Sequence, residues 1–161
     1  MIVFAHGLEG SPHGTKVRAL REAGFEVVAP DGRGRDLAAR VAGLQEATAR
    51  GGVVLAGSSY GGLAAAFLAQ RFPERFTGLL LCAPAFNLAE APADRPETIV
   101  APAGLETIVI HGRADDIVPV EVSRAYRDRS GPHVTLREVD DGHRLASSLD
   151  AILKAARTLE G

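Results

Sequence analysis

With 161 residues, 46% of them hydrophobic and 24% charged, the chain is long enough to bury a core, too apolar to be disordered, and most simply one domain. A net charge of -2 offers nucleic acid and anionic membranes no electrostatic attraction, so neither is an expected partner. The single cysteine, Cys82, excludes an internal disulfide, no apolar stretch reaches the roughly 20 residues that span a bilayer, and no charged segment precedes a hydrophobic leader, which makes a cytoplasmic location the expectation.

Residues 1–5 read as an apolar strand that runs into His6-Gly7-Leu8-Glu9-Gly10-Ser11-Pro12-His13-Gly14, a loop by its glycine, serine and proline content. Thr15 is the expected cap of a helix to about Ala23, with Val17, Leu20 and Ala23 on one face and Gly24 ending it. A strand over 25–29 follows, then the turn Pro30-Asp31-Gly32-Arg33-Gly34. Asp36 is placed to cap a helix to about Ala49, whose apolar stripe is Leu37, Val41, Leu44 and Ala47. Gly51-Gly52 closes it, and 53–56 is a continuous aliphatic run, the pattern of a parallel strand covered on both faces.

A helix over 60–71 stops at Phe72-Pro73, because proline disfavours helical backbone in the residue before it. Residues 77–82 make another strand, ending on Cys82 as a small buried hydrophobe. The stretch 83–106 carries Pro84, Pro92, Pro96 and Pro102 and reads as irregular, with at most a short helix near 94–100. Then come a strand over 107–110, a helix of about ten residues from Pro119, a strand over 133–139 and a last helix over 144–159. Six apolar strands alternating with amphipathic helices imply an α/β fold, a three-layer αβα sandwich around a mostly parallel sheet, since parallel neighbours need crossover connections.

Between the third strand and its helix, Gly57-Ser58-Ser59-Tyr60-Gly61 fits G-x-S-x-G, a sharp turn that lifts one serine clear of a sheet. The spacing to the glycines selects Ser59 over Ser58. In open parallel sheets, functional groups gather on the loops after the carboxyl ends of strands. Four such loops here hold unusual residues: His6-Gly7, Ser59, His111 to Pro119, and Asp140-Asp141-Gly142-His143.

These pieces, in this order, resemble the α/β-hydrolase superfamily over almost the whole chain. The pattern H-G-x-x-D-x-x-V-P is met by His111 through Pro119, G-H by Gly142-His143, and the early H-G by His6-Gly7-Leu8. The resemblance implies a catalytic triad of Ser59, His143 and Asp115, with the backbone N–H groups of Leu8 and Tyr60 as an oxyanion hole. The loop from His6 to Lys16 looks like that of compact bacterial members with little or no lid. Relative to larger members the first two strands are missing, leaving a minimal core of about six strands without a separate cap domain, and 83–106 is too short for a multi-helix cap. The implied activity is a serine hydrolase, an esterase or thioesterase for small to medium acyl groups, with lactonase and peptidase chemistry open. The alternative is a non-catalytic binding module on a reduced fold.

Rival roles attach to neighbouring residues. Asp116 is suited to capping the next helix, Asp140 and Asp141 to fixing a turn, and His6 and His111 to bonding loop backbone. His13 and His133 lie in loop-like surroundings, Arg33 and Arg113 read as solvated, and Leu8, Phe86 and Leu88 are candidate pocket wall. The histidine spacings and the single cysteine offer no metal set, and the glycine clusters lack the lysine of a phosphate loop, so no cofactor is expected. The expected partner is a small-molecule ester or thioester, and the chain is expected to be a monomer or a homodimer.

Overall fold

The structure, a computed structural model, describes residues 1–161. Six strands form one sheet: β1 (Ile2–Ala5), β2 (Val27–Val28), β3 (Val53–Ser58), β4 (Phe76–Cys82), β5 (Thr107–Gly112) and β6 (Val134–Val139). Their order is β2-β1-β3-β4-β5-β6, and every neighbouring pair is parallel. The helices are α1 (Thr15–Glu22), α2 (Leu37–Ala47), α3 (Tyr60–Arg71), α4 (Val120–Ser130) and α5 (Leu149–Glu160).

Strand side chains alternate between faces, and here both faces are apolar. Val3, Val53, Leu55, Leu79, Leu81 and Val109 pack with Val41, Leu44, Leu63 and Tyr126 of α2, α3 and α4. Ile2, Phe4, Val54, Ala56, Leu80, Ile108 and Ile110 pack with Leu20 of α1 and with Ile152 and Ala156 of α5. The result is the expected three-layer sandwich. No helix is long and apolar enough to cross a membrane.

Local differences from the sequence reading have local causes. Gly14, not Thr15, holds the cap position of α1, since its carbonyl already accepts the first helical bond from Arg18 N–H at 3.0 Å. Strand β2 is two residues long because the Phe25 N–H closes the end of α1 on Leu20 O, 3.1 Å away, with Gly24 at φ 93. Helix α5 starts at Leu149 rather than 144 because the Asp141 carboxylate draws the Ser147 N–H (2.9 Å) and the Ser148 hydroxyl (2.8 Å) into a turn, with Leu145 at φ 55. Asp36 caps α2 as expected, accepting from Ala39 N–H at 2.9 Å. Between β4 and β5 the only helical element is a 3-10 turn at Pro96–Thr98, and Ile99, Ala101 and Leu105 sink into the core.

Candidate active site

Ser59 stands between β3 and α3 at φ 54, ψ -116, a conformation that side-chain-bearing residues rarely adopt. Its backbone is held from both sides. The N–H donates to Cys82 O at 2.9 Å, and the carbonyl accepts from Leu63 N–H (3.1 Å) and Ala85 N–H (3.0 Å). The flanking glycines are required by proximity: a Cβ on Gly57 would run into Gly61 O, and one on Gly61 into Ala5 O. Strand and helix therefore meet at backbone distance, and the serine is turned outward.

The loops after β5 and β6 bring two further groups to this point. His143 Nε2 lies 2.9 Å from Ser59 Oγ, and His143 Nδ1 lies 2.7 Å from Asp115 Oδ2. His143 is 19% exposed, whereas the Asp115 side chain is fully buried. The other Asp115 oxygen accepts from Val118 N–H (2.7 Å) and Ile117 N–H (2.9 Å). Burial opposes ionisation of Asp115, but these amides and the His143 ring outweigh it and hold the carboxyl below its usual value.

His111 sits behind this row and is fully buried. Its Nε2 lies 2.8 Å from Val118 O and 3.2 Å from Asp115 Oδ2, while Nδ1 lies 2.7 Å from Ser123 Oγ. Burial lowers the proton affinity of the ring, and the partners suit a neutral imidazole that donates from Nε2 and accepts the Ser123 hydroxyl at Nδ1. His111 thus ties the Asp115 loop to α4. The other acids stay outside the row: Asp116 is exposed, Asp140 pairs with Arg113 at 2.6 Å, and Asp141 serves the turn before α5.

The loop after β1 completes the surroundings. The His6 ring donates from Nδ1 to Gly7 O (2.8 Å) and accepts from Gly32 N–H at Nε2 (3.0 Å). Gly7 lies against the serine, since a Cβ there would come 3.6 Å from Ser59 Cβ. The Leu8 N–H makes no hydrogen bond within the protein, and Tyr60, as first residue of α3, has no intrahelical acceptor for its own. His13 is exposed, its backbone N–H donating to Ser11 Oγ, His133 Nε2 lies 3.3 Å from Ala101 O, and Arg33 is paired with Asp31 at 2.7 Å. Of the candidate pocket wall, Phe86 is turned inward onto Tyr126, with ring centroids 4.5 Å apart, while Leu8 and Leu88 are exposed, as is Ile117, whose carbonyl accepts from Asn87 Nδ2 at 3.2 Å.

This geometry has a counterpart in known proteins: residues 2–157 match the model of a family described as the alpha/beta hydrolase family. The chain belongs to that family. Among solved structures, this hydrolase is similar to a protein from Xanthomonas campestris pv. campestris described as a hydrolase of the alpha/beta superfamily, at 27% identity and TM-score 0.80, over 98% of this chain and 96% of that one. It also shares its fold with Est1E from Butyrivibrio proteoclasticus (19% identity, TM-score 0.77, covering 98% and 85%) and a monoacylglycerol lipase from Paleococcus ferrophilus (18%, 0.76, 98% and 94%). No curated protein matches the chain.

Three residues around the α/β-hydrolase site are not marked by any motif. Ser123 is fully buried on α4 as the partner of His111. Glu90 reaches from the 83–106 stretch to Tyr60 OH, and Arg40 of α2 is buried beneath the His6-Gly7 loop. Arg40 had a signal in the sequence: it lies three residues after Leu37 and four before Leu44, on the apolar stripe itself.

Proposed function

We propose that this α/β hydrolase is a serine hydrolase that cleaves carboxylic esters or thioesters of small to medium acyl groups through an acyl-enzyme on Ser59. The reading rests on one observation above all: Ser59, His143 and Asp115 form a continuous hydrogen-bonded row, 2.9 and 2.7 Å, ending on a fully buried carboxylate. Lipases among the proteins that share the fold support the ester assignment.

A serine hydroxyl is a weak nucleophile unless a base takes its proton as it attacks. His143 Nε2 accepts that proton while Ser59 Oγ bonds to the acyl carbon and the carbonyl π pair moves onto oxygen. Asp115 fixes the ring with Nδ1 protonated and stabilises the imidazolium that forms. The oxyanion is received by the N–H groups of Leu8 and Tyr60, at the positive end of the α3 dipole, where removal of one such donor in other enzymes costs about 3 kcal/mol. Collapse of the intermediate expels the alcohol or thiol, protonated by His143. Water, deprotonated by the same nitrogen, then attacks the acyl-serine and releases the acid. Leu8, Leu88 and Ile117 supply exposed apolar surface for the acyl group, and in the stretch after β4 the side chains of Phe86, Ile99, Ala101 and Leu105 are buried in the core.

Labelling with a fluorophosphonate probe tests the reading. The wild-type chain reacts at Ser59, and both Ser59→Ala and His143→Ala suppress the adduct at least about 10³-fold. A wild-type protein that is folded and unlabelled sinks it. On p-nitrophenyl esters of increasing length, activity peaks at short to medium chains.

A further inference from the structure

Arg40 is an expensive residue to bury. Its residue exposure is 6%, it makes no ion pair, and its Nη2 is buried without a protein partner. A guanidinium in that state is a poor source of stability, and burial lowers its proton affinity. What it touches is more informative than what it costs.

Arg40 Nη1 donates to His6 O at 2.7 Å and lies 3.4 Å from Gly7 O. The Gly7 carbonyl also takes the His6 Nδ1–H at 2.8 Å and the Gly10 N–H at 3.1 Å. The Gly7–Leu8 peptide is trans, the only cis bond in the chain being Ala91-Pro92. In a trans peptide the C=O and N–H point in opposite directions, so donors gathered on Gly7 O aim the Leu8 N–H away from Arg40. That N–H is the unengaged one.

The same guanidinium stacks on the other half of the site. Its Cζ lies 4.7 Å from the centroid of the Tyr60 ring, and the far end of that ring is fixed by a 2.5 Å bond from Tyr60 OH to Glu90 Oε2. Glu90 Oε2 in turn accepts the first N–H of α2, from Leu37, at 2.7 Å. Arg40 therefore bridges the loop that carries Leu8 and the residue that follows the nucleophile.

Resting on the serine-hydrolase reading above, we propose that Arg40 is the positioning residue of the oxyanion hole, a clamp from α2 that sets the Leu8 and Tyr60 amides relative to each other. It touches no substrate. Its effect belongs to the transition state alone, because only there does charge develop on the oxygen those amides meet.

Arg40→Met keeps the bulk of the stem and removes the clamp. With p-nitrophenyl acetate, kcat falls about 10- to 100-fold and KM stays within about twofold, less than the 10²–10³ for deleting a donor because the amide is misaimed and not lost. The inhibition constant of trifluoroacetophenone, which forms an oxyanion on serine, rises by the factor by which kcat/KM falls. Arg40→Lys, with the charge but one nitrogen, recovers part of kcat and melts like wild type. A merely structural role predicts instead that activity per folded molecule and the ketone's affinity are unchanged, and that only the melting temperature drops; that result overturns the proposal. Should Arg40→Met not fold, wild-type kcat and ketone affinity in Arg40→Lys overturn it equally. Fluorophosphonate labelling of wild-type Ser59 separates the two readings: without it both fall, and with it an unaltered kcat in the variants removes only the clamp.

Discussion

Replacing Gly61 by alanine is the sharpest single test of how the elbow is built. The new Cβ would lie 2.5 Å from both the Ala5 carbonyl carbon and His6 O, and would collide with Ala5 O itself. Non-bonded contacts settle near 3.5 Å, so the start of α3 must withdraw from β1 by about 1 Å, and none of the obstructing atoms belongs to a side chain that can swing away. Overpacking of this kind costs about 1–3 kcal/mol or more, which in a chain of this size lowers the melting temperature by about 2–12 °C. Ser59 and Tyr60 ride on the same turn, and a displacement of about 1 Å at a reacting centre is worth about 10² in rate. Thermal melts and p-nitrophenyl acetate hydrolysis, corrected for folded fraction, read both effects. The matched control is Gly43→Ala in α2, where a Cβ meets nothing within 4 Å. It should gain up to about 1 kcal/mol from the lower entropy of the unfolded chain and leave activity alone. A Gly61→Ala protein that melts and turns over like wild type would refute the close-approach account.

Asp115→Asn leaves the bonds from Ile117 and Val118 in place but misassigns the His143 tautomer, so kcat should fall by about 10⁴ with KM little changed; steady-state kinetics decides, and a loss below about tenfold contradicts the role given to Asp115. Acid stability follows from three buried groups. His6 and His111 bind protons less readily folded than at their ordinary value of 6.5, chiefly because burial disfavours the imidazolium, so the stability they confer is present above that pH and drains as pH falls below it. Asp115, also held below its ordinary 3.8, adds a second decline at lower pH, starting near that value. Urea midpoints measured from pH 8 to pH 3 should descend in these two stages; a midpoint flat down to about pH 5 would show that neither histidine is neutral by burial.

The elbow, the strand count and the order of the four loops were legible in the sequence because each depends on residues with few substitutes: glycines where backbones touch, β-branched runs between covered faces, an aspartate ahead of a helix. Boundaries were harder. The start of α5 depends on Asp141 reaching forward to Ser147 and Ser148, a bond that no propensity for 144–148 encodes. Phe25 looked like strand because it is apolar, yet its amide closes α1. The Arg40, Tyr60 and Glu90 contacts were invisible because they join α2, α3 and the irregular stretch, segments separated by 20 residues or more, and only the tertiary fold sets their distances.

The hydrogen bond between His143 and Ser59 closes a span of 84 residues, and β4 and β5 lie between the strands that carry them. The row therefore needs every strand from β3 to β6 in place: a sheet lacking β6 holds the serine without its base. During refolding, turnover can therefore return no earlier than the pairing of β6 that brings its loop to Ser59.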